Sequence, residues 1–510
     1  MVGVPVKNVI VIGGGFAGLS AASALAEQGV RVTLLEGRQI LGGRAYSFVD
    51  PQTGDSVDNG QHLFMGCYHE TIKFLRRIES LGRLKFQSSL SVDFTGSDGR
   101  RAELRCWPLP APWNLMSGLL RLKTLSWADR WRLRHVHAAL RRNTPVEELD
   151  RLTVDQWLTR CRQSERAKRH LWDLIAIACL NEESRVASAA PFVTVLKQAF
   201  FDGPSASSIA LADVGLSDLY VRDAARFIQD AGGEVRAKSP VQRLIVRHGR
   251  VEGVLLRDGT RLEADAVVSA VPAWALLKIV PDLLVETEAY FQPLKQLSYS
   301  PILSIHLWLD QKITDALFTG LLDTHIQWLF NKSKILNTPH PVLRTSLSPA
   351  RGEGGGEGTG RHDQYVSLVI SGAHDFMDWP DVRILGLALE ELRRLFPKAK
   401  EAVLLRSLII RESQATLSPR VGGEALRPGH ESPIKNLWVA GDWTKTGLPA
   451  TIESACVSGH RCADMIIQKA PKVPPSPTKG ESWDEGSIDT VAEAAVAGKP
   501  DELKGTAIAE

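Results

Sequence analysis

The chain has few cysteines and almost no excess charge. Its six cysteines, at 67, 106, 161, 179, 456 and 462, are scattered with no Cys-x-x-Cys pair among them. That speaks against a zinc ribbon or a thioredoxin-like motif, and no metal site is expected. The thiols read as reduced ones from a reducing compartment. Lys and Arg number 61 against 58 Asp and Glu, a formal net charge of +3. So small an imbalance argues against a dedicated nucleic-acid binder. No run of 18 or more apolar residues occurs, so no transmembrane helix is expected. The N-terminal apolar stretch Val9-Ile10-Val11-Ile12 runs directly into three glycines. It lacks the longer apolar core and cleavage site of a secretory signal. A cytoplasmic protein is expected.

What is present is ample core material, 44% hydrophobic residues over 510 positions. That excludes wholesale disorder and allows two large units or about three ordinary ones. Two stretches stand apart. From 471 onward the chain holds five prolines, four lysines and eight acids, and reads as a disordered acidic tail. Residues 351–360, Arg-Gly-Glu-Gly-Gly-Gly-Glu-Gly-Thr-Gly, read as a surface loop between strands.

The hydrophobic pattern predicts a strand over 7–12, a helix over 17–28 and a strand over 30–35, a β–α–β unit. Residues 110–185 are expected to be helical. Val241 to Val246 is expected to pair with Val251 to Arg257, ahead of a strand from Ala266 to Val271. Further strands are expected at 299–309, 364–371 and 436–440, and helices at 381–396 and 450–469. No solenoid-type repeat is visible.

Gly13-Gly14-Gly15-Phe16-Ala17-Gly18 sits between the first strand and the first helix. Gly13 permits the tight turn, Gly15 lets the backbone approach a pyrophosphate, and Gly18 lets helix and strand pack closely. The helix N-terminus offers N–H donors and a positive dipole end. Glu36 ends the second strand, where a carboxylate accepts from ribose hydroxyls and repels a 2′-phosphate. A dinucleotide site is therefore expected. Two further features favour FAD over NAD. Leu41-Gly42-Gly43-Arg44 offers a second glycine loop and a phosphate partner. Leu437-Trp-Val-Ala-Gly441-Asp442-Trp443 reads as a strand ending in Gly-Asp, and a helix starts near 450–452. Asp442 can take ribityl hydroxyls, and the new helix N-terminus can stabilise negative charge on a reduced flavin ring.

Together with Asp265-Ala-Val-Val-Ser-Ala-Val-Pro272, these motifs resemble the amine-oxidase and phytoene-desaturase type of flavoprotein over roughly 7–470. The narrower string Asp58-Asn59-Gly60-Gln61-His62, followed by Gly66-Cys67-Tyr68, resembles the squalene-associated flavoproteins, the hydroxysqualene dehydroxylases of bacterial hopanoid synthesis. The resemblance implies an α/β fold: a Rossmann-like FAD-binding domain built from discontinuous segments, with an inserted α+β substrate domain. The segments would be 7–75, 216–285 and 411–470 for FAD, and 76–215 and 286–410 for substrate, with 471–510 as the tail. The implied FAD contacts are Gly13, Gly15, Phe16, Ala17, Gly18, Glu36, Gly37, Arg38, Gly42, Gly43, Arg44, Gly60, Gln61, His62, Val241, Gly441, Asp442, Pro449, Ala450, Thr451 and Ile452.

The implied reaction reduces hydroxysqualene to squalene. An acid assists departure of the allylic hydroxyl as water, and the carbon takes hydride from reduced FAD. His62 is the leading candidate for the acid, with Asp58 and His69 behind it. The bland reading of His62 is a cofactor or backbone hydrogen bond, that of Asp58 a loop-holding carboxylate, and that of His69 an exposed helix residue. A long isoprenoid substrate asks for an apolar tunnel, with candidate lining in the helical insert and in strands at 299–309 and 326–330. Residues 113–142 carry seven Lys/Arg against Asp129 alone, with Leu115, Leu119, Leu122, Trp127 and Trp131 as apolar bulk. They are a candidate for peripheral contact with the inner face of the cytoplasmic membrane. Docking to other squalene-pathway enzymes is a further expected partnership. Three other readings stay open: an isoprenoid desaturase with the electron flow reversed, an amine or porphyrinogen oxidase, and a non-catalytic lipid carrier on the same fold.

Overall fold

The structure is a computed structural model, and it describes residues 6–96, 101–107, 109–110, 113–201, 205–336 and 363–469. The glycine-rich stretch 351–360 and the tail 471–510 lie outside these residues.

Strand Asn8–Ile12 is the centre of a five-stranded parallel sheet. Arg31–Leu35 and Ala266–Ser269 flank it, and Glu234–Arg236 and Leu437–Val439 form the edges. The unbroken apolar run from Val9 to Ile12 suits a strand covered on both faces. Alternate residues divide between two cores. Val9, Val11, Val32 and Leu34 pack under the helices Phe16–Glu27 and Ile452–Lys469. Ile10, Ile12 and Leu35 face the layer of helix Ala273–Ile279 and hairpin Val241–Arg247/Arg250–Leu256. The hairpin turns on His248 and Gly249, both at positive φ, as a two-residue turn matched to strand twist demands. The first helix stops at Gly29, where φ is +74° and the N–H donates back to the carbonyl of Ala26. The two covering helices meet backbone to backbone. A Cβ on Gly459 would lie 2.3 Å from the carbonyl oxygen of Ala17.

The second sheet has seven strands, in the order Leu404–Leu417, Tyr299–Leu309, Gln364–Ser371, Trp328–Asn331, Phe318–Leu322, Ser91–Gly96 and Arg101–Arg105. All neighbours are antiparallel except Ser91–Gly96 beside Phe318–Leu322. Leu303, Ile305 and Leu307 pack with Ile384, Ala388 and Leu392 of helix Asp381–Leu395. Phe94, Phe318, Trp328 and Phe330 face the helical insert instead. The chain thus leaves the first sheet after Leu35, builds part of the second, and returns for each remaining parallel strand.

The stretch expected to be helical is broken into short helices, including Trp113–Arg121, Trp127–Leu140 and Val154–Arg160, with a π-helical turn at Lys168–Trp172. Capping boxes at Ser126/Asp129 and Thr153/Gln156 set two of the starts. No helix of the described residues is long and apolar enough to cross a membrane. One detail of the expected amphipathic surface is corrected. Leu115, Leu119 and Leu122 point into the core, whereas Trp127 and Trp131 are exposed. A small sheet of Phe64–Met65, Leu84–Phe86 and Ile209–Ala212 was not expected. Strands of two to four residues leave too little pattern to read.

Candidate functional site

The carboxyl ends of the parallel strands open into a cavity of about 710 Å³, the position where such sheets bind ligands. Gly13 makes the turn out of the first strand at φ +106°, and a Cβ there would lie 2.9 Å from the carbonyl oxygen of Ala270. Gly18 is tighter, because its Cβ would fall 1.9 Å from the carbonyl oxygen of Gly13. Gly15 differs from both. Its Cβ would meet no protein atom closer than the Cα of Gly43, at 3.5 Å, yet the residue lines the cavity. Packing alone does not require glycine at Gly15, but a ligand backbone pressed against it would. That is the fit expected for a pyrophosphate.

Glu36 is fixed at the cavity wall. Its Oε2 accepts the N–H of Gly14 at 2.8 Å and its Oε1 that of Arg38 at 2.9 Å. The second glycine loop is tied to the first by the Gly42 N–H, which donates to the Gly14 carbonyl at 2.8 Å. Gly42 and Gly43 both take positive φ, +117° and +60°. Tyr220 supports this loop from below. Its hydroxyl reaches the carbonyls of Gly42 and Ala45, and its ring stacks on Phe16 with centroids 3.8 Å apart. Arg44 pairs with Asp442 across 398 residues of chain and donates to the carbonyl of Ala415 at 3.2 Å. Trp443 is buried, and its indole N–H donates to the Val271 carbonyl at 3.1 Å.

Of the expected cofactor residues, Gly13, Gly15, Phe16, Ala17, Glu36, Gly37, Arg38, Gly42, Gly43, Arg44, His62, Val241, Gly441, Asp442, Ala450, Thr451 and Ile452 line the cavity. Gly18, Gly60, Gln61 and Pro449 do not. Gly18 acts one layer behind, through packing.

The candidate acids separate. His62 lines the cavity, and burial, reinforced by the Lys332 charge against the opposing pull of Asp58, pushes its pKa down to about 4. That value favours the neutral imidazole at pH 7, which can donate an N–H hydrogen bond. Asp58 does not reach the cavity. Its Oδ2 accepts from Lys332 at 2.6 Å and its Oδ1 from the Leu216 N–H at 3.0 Å. This ion pair is buried, with Lys332 1% exposed. Lys332 also donates to Gln61 at 3.0 Å, so one ammonium ties together Asp58 and the residue before His62. His69 is exposed, in the first turn of helix His69–Arg77.

Two further cavity residues were not foreseen. Glu412 faces the cavity and is held by the Asn59 amide at 2.9 Å. Tyr299 lines it as well, and burial pushes its phenol up to about 12, against the opposing pull of Arg44 and of the Ala273 and Trp274 backbone. Tyr299 opens a predicted strand, whereas Glu412 lies in strand Leu404–Leu417, which was not expected, and neither sits in a motif. Lys332 is 274 residues from Asp58, and no spacing rule could pair them. Of residues 299–309 only Tyr299 lines this cavity, and none of 326–330 does. Leu303, Ile305, Leu307 and Leu329 are packed core.

The family profile described as flavin containing amine oxidoreductase matches residues 16–467. A 15-cis-phytoene desaturase of Synechococcus elongatus is 27% identical over 479 residues, covering 91% of this chain and 96% of that one. A hydroxysqualene dehydroxylase of Zymomonas mobilis is 25% identical over 466 residues, covering 90% and 98%. The crystal structure of an oxidoreductase from Methanosarcina mazei superposes with a TM-score of 0.66 at 17% identity, covering 90% of this chain and 100% of its own. That last likeness is one of fold. The expected architecture therefore holds: an α/β flavoprotein with a Rossmann-like FAD-binding part made of separated segments and a substrate part inserted between them.

Proposed function

The chain belongs to the flavin containing amine oxidoreductase family, and from that premise we propose that this FAD-dependent oxidoreductase reduces the allylic alcohol hydroxysqualene to squalene. The observation that carries the reading is His62 in the cavity wall, on a segment anchored by the buried Asp58–Lys332 pair and the Lys332–Gln61 hydrogen bond. Similarity to the Zymomonas dehydroxylase over nearly the whole of both chains supports it.

Gly13 to Ala17 and the helix N-terminus would cradle the pyrophosphate, Glu36 would take the adenosine ribose, and Ala450 to Ile452 would face the ring. FAD, when bound and reduced, supplies a hydride. The protein's part is to help the C–O bond break. The hydroxyl oxygen must take a proton and leave as water, while the allylic carbon accepts the hydride pair. Neutral His62 and the un-ionised Tyr299 each carry a donor hydrogen at the cavity wall that an oxygen of the substrate could accept. Each stabilises the departing hydroxyl by hydrogen bonding rather than by carrying positive charge.

Tyr299→Phe is expected to lower kcat/KM by about 10²-fold or more, as loss of one aimed donor does, with FAD content unchanged. With the reaction run in D2O, squalene should gain one deuterium at the former carbinol carbon, because the flavin N5 hydrogen exchanges with solvent. Squalene without that label would contradict hydride delivery from the flavin. A second reading, an isoprenoid desaturase, is favoured by the 27% identity to the Synechococcus phytoene desaturase. It predicts flavin reduction by a more saturated isoprenoid and no conversion of hydroxysqualene.

A further inference from the structure

The helical insert carries a set of exposed tryptophans that core packing does not explain. Trp107, Trp113, Trp127 and Trp131 are 53%, 65%, 81% and 67% exposed. Leu120, two turns from Trp113 on the same helix, is 44% exposed. Trp127 and Trp131 lie one turn apart on helix Trp127–Leu140, whose other side buries Leu133, Val136 and Leu140. A soluble surface rarely leaves several large aromatic side chains open without a partner.

Basic side chains accompany the indoles. Arg121 lies over Trp107 at 5.0 Å, Arg130 over Trp127 at 4.7 Å and Arg134 over Trp131 at 4.4 Å. Arg130 also donates to the Leu122 carbonyl, next to Arg121, which joins the first pair to the second. Lys123 and Arg132 are exposed beside them. The one acid in this stretch, Asp129, is buried and occupied by the Ser126 cap and by Ser164. This stretch therefore offers indoles and positive charge, and its own carboxylate is taken up inside. That combination matches the boundary of an anionic bilayer, where indoles settle at headgroup level and guanidinium groups meet phosphates.

We propose that Trp107 and the exposed side chains of residues 113–134 are the surface by which the protein lies on an anionic lipid bilayer, with Trp127 and Trp131 inserted at headgroup depth. Arg130 and Arg134 leave their indoles for lipid phosphates on docking. The charge provides long-range attraction that salt screens, and the indoles provide anchoring that salt does not. This inference does not depend on which isoprenoid reaction the cavity performs.

The test is co-sedimentation of the full-length, FAD-loaded protein with phosphatidylglycerol-containing vesicles and with pure phosphatidylcholine vesicles, at low and high salt. The expected result is binding to the anionic vesicles, weakened but not abolished by salt. Trp127→Ser with Trp131→Ser should cut partitioning at least tenfold. Arg130→Gln with Arg134→Gln should flatten the salt dependence. Trp127, Trp131 and Arg134 are exposed and Arg130 is half-buried, and unchanged flavin absorbance and melting temperature would establish that both double variants fold. Absence of binding to anionic vesicles, or binding unchanged in the tryptophan variant, would overturn the proposal. So would tight, salt-sensitive binding of a labelled single-stranded oligonucleotide with none to vesicles.

Discussion

Lys332→Met is expected to destabilise the protein by about 3–5 kcal/mol, the usual cost of leaving one member of a buried ion pair without its partner. The ammonium contacts Asp58 at 2.6 Å and Gln61 at 3.0 Å, and both charged side chains are sealed from water. Removing it strands the Asp58 carboxylate with the Leu216 N–H as its remaining donor among the described contacts. Asp58→Asn in the same chain should restore most of the loss, because it removes the stranded charge. The second effect is on His62. Lys332 is one of the groups that lowers its pKa and Asp58 the group that raises it, so Lys332→Met alone should shift the His62 titration upward from about 4. A His whose folded pKa lies below its usual 6.5 favours folding above that value, and the contribution fades as pH falls toward about 4. Raising the folded pKa narrows that window. Denaturant melts as a function of pH and the His62 ring resonance of isotope-labelled protein check the two effects. A variant as stable as the parent, with His62 unmoved, would show that the pair does not organise this wall.

Gly18→Ala and Gly15→Ala are expected to fail in different ways. At Gly18 the added Cβ would lie 1.9 Å from a backbone carbonyl oxygen, and no rotamer relieves that contact. Helix and strand must separate, so the protein should lose at least the 1–3 kcal/mol typical of overpacking, together with its flavin. At Gly15 the nearest protein atom is 3.5 Å away. The apoprotein should melt normally, while FAD affinity falls at least tenfold because the methyl occupies the pyrophosphate's place. Thermal melts of the apoproteins and FAD titrations separate the outcomes. Equal melting and equal FAD loss in both variants would contradict the assigned division of labour.

The contrast between those glycines shows why the cofactor half was legible. Gly13, Gly15 and Gly18 lie within six residues of one another, and Glu36 ends the next strand, so local rules of turn and packing set their positions. Arg44 and Asp442 were each readable from a neighbouring glycine, but their mutual pairing was not, since each was expected to face the cofactor. The other polar groups were harder. Tyr299 and Glu412 reach the cavity, and Lys332 the segment that carries His62, through long-range packing that no periodicity records. His62 was found by resemblance, yet its charge state depends on burial and on Lys332. The helical insert gave the opposite lesson. Its leucines and tryptophans alternate in a way that reads as one apolar face, and only the packing separates buried Leu115, Leu119 and Leu122 from exposed Trp127 and Trp131.

The most direct measurement is anaerobic. The purified holoenzyme would be reduced stoichiometrically, mixed with hydroxysqualene, and followed by flavin absorbance with the product extracted from the same sample. The account predicts reoxidation of one flavin for each squalene formed. A flavin that stays reduced with hydroxysqualene, yet reoxidises with another acceptor, would contradict it.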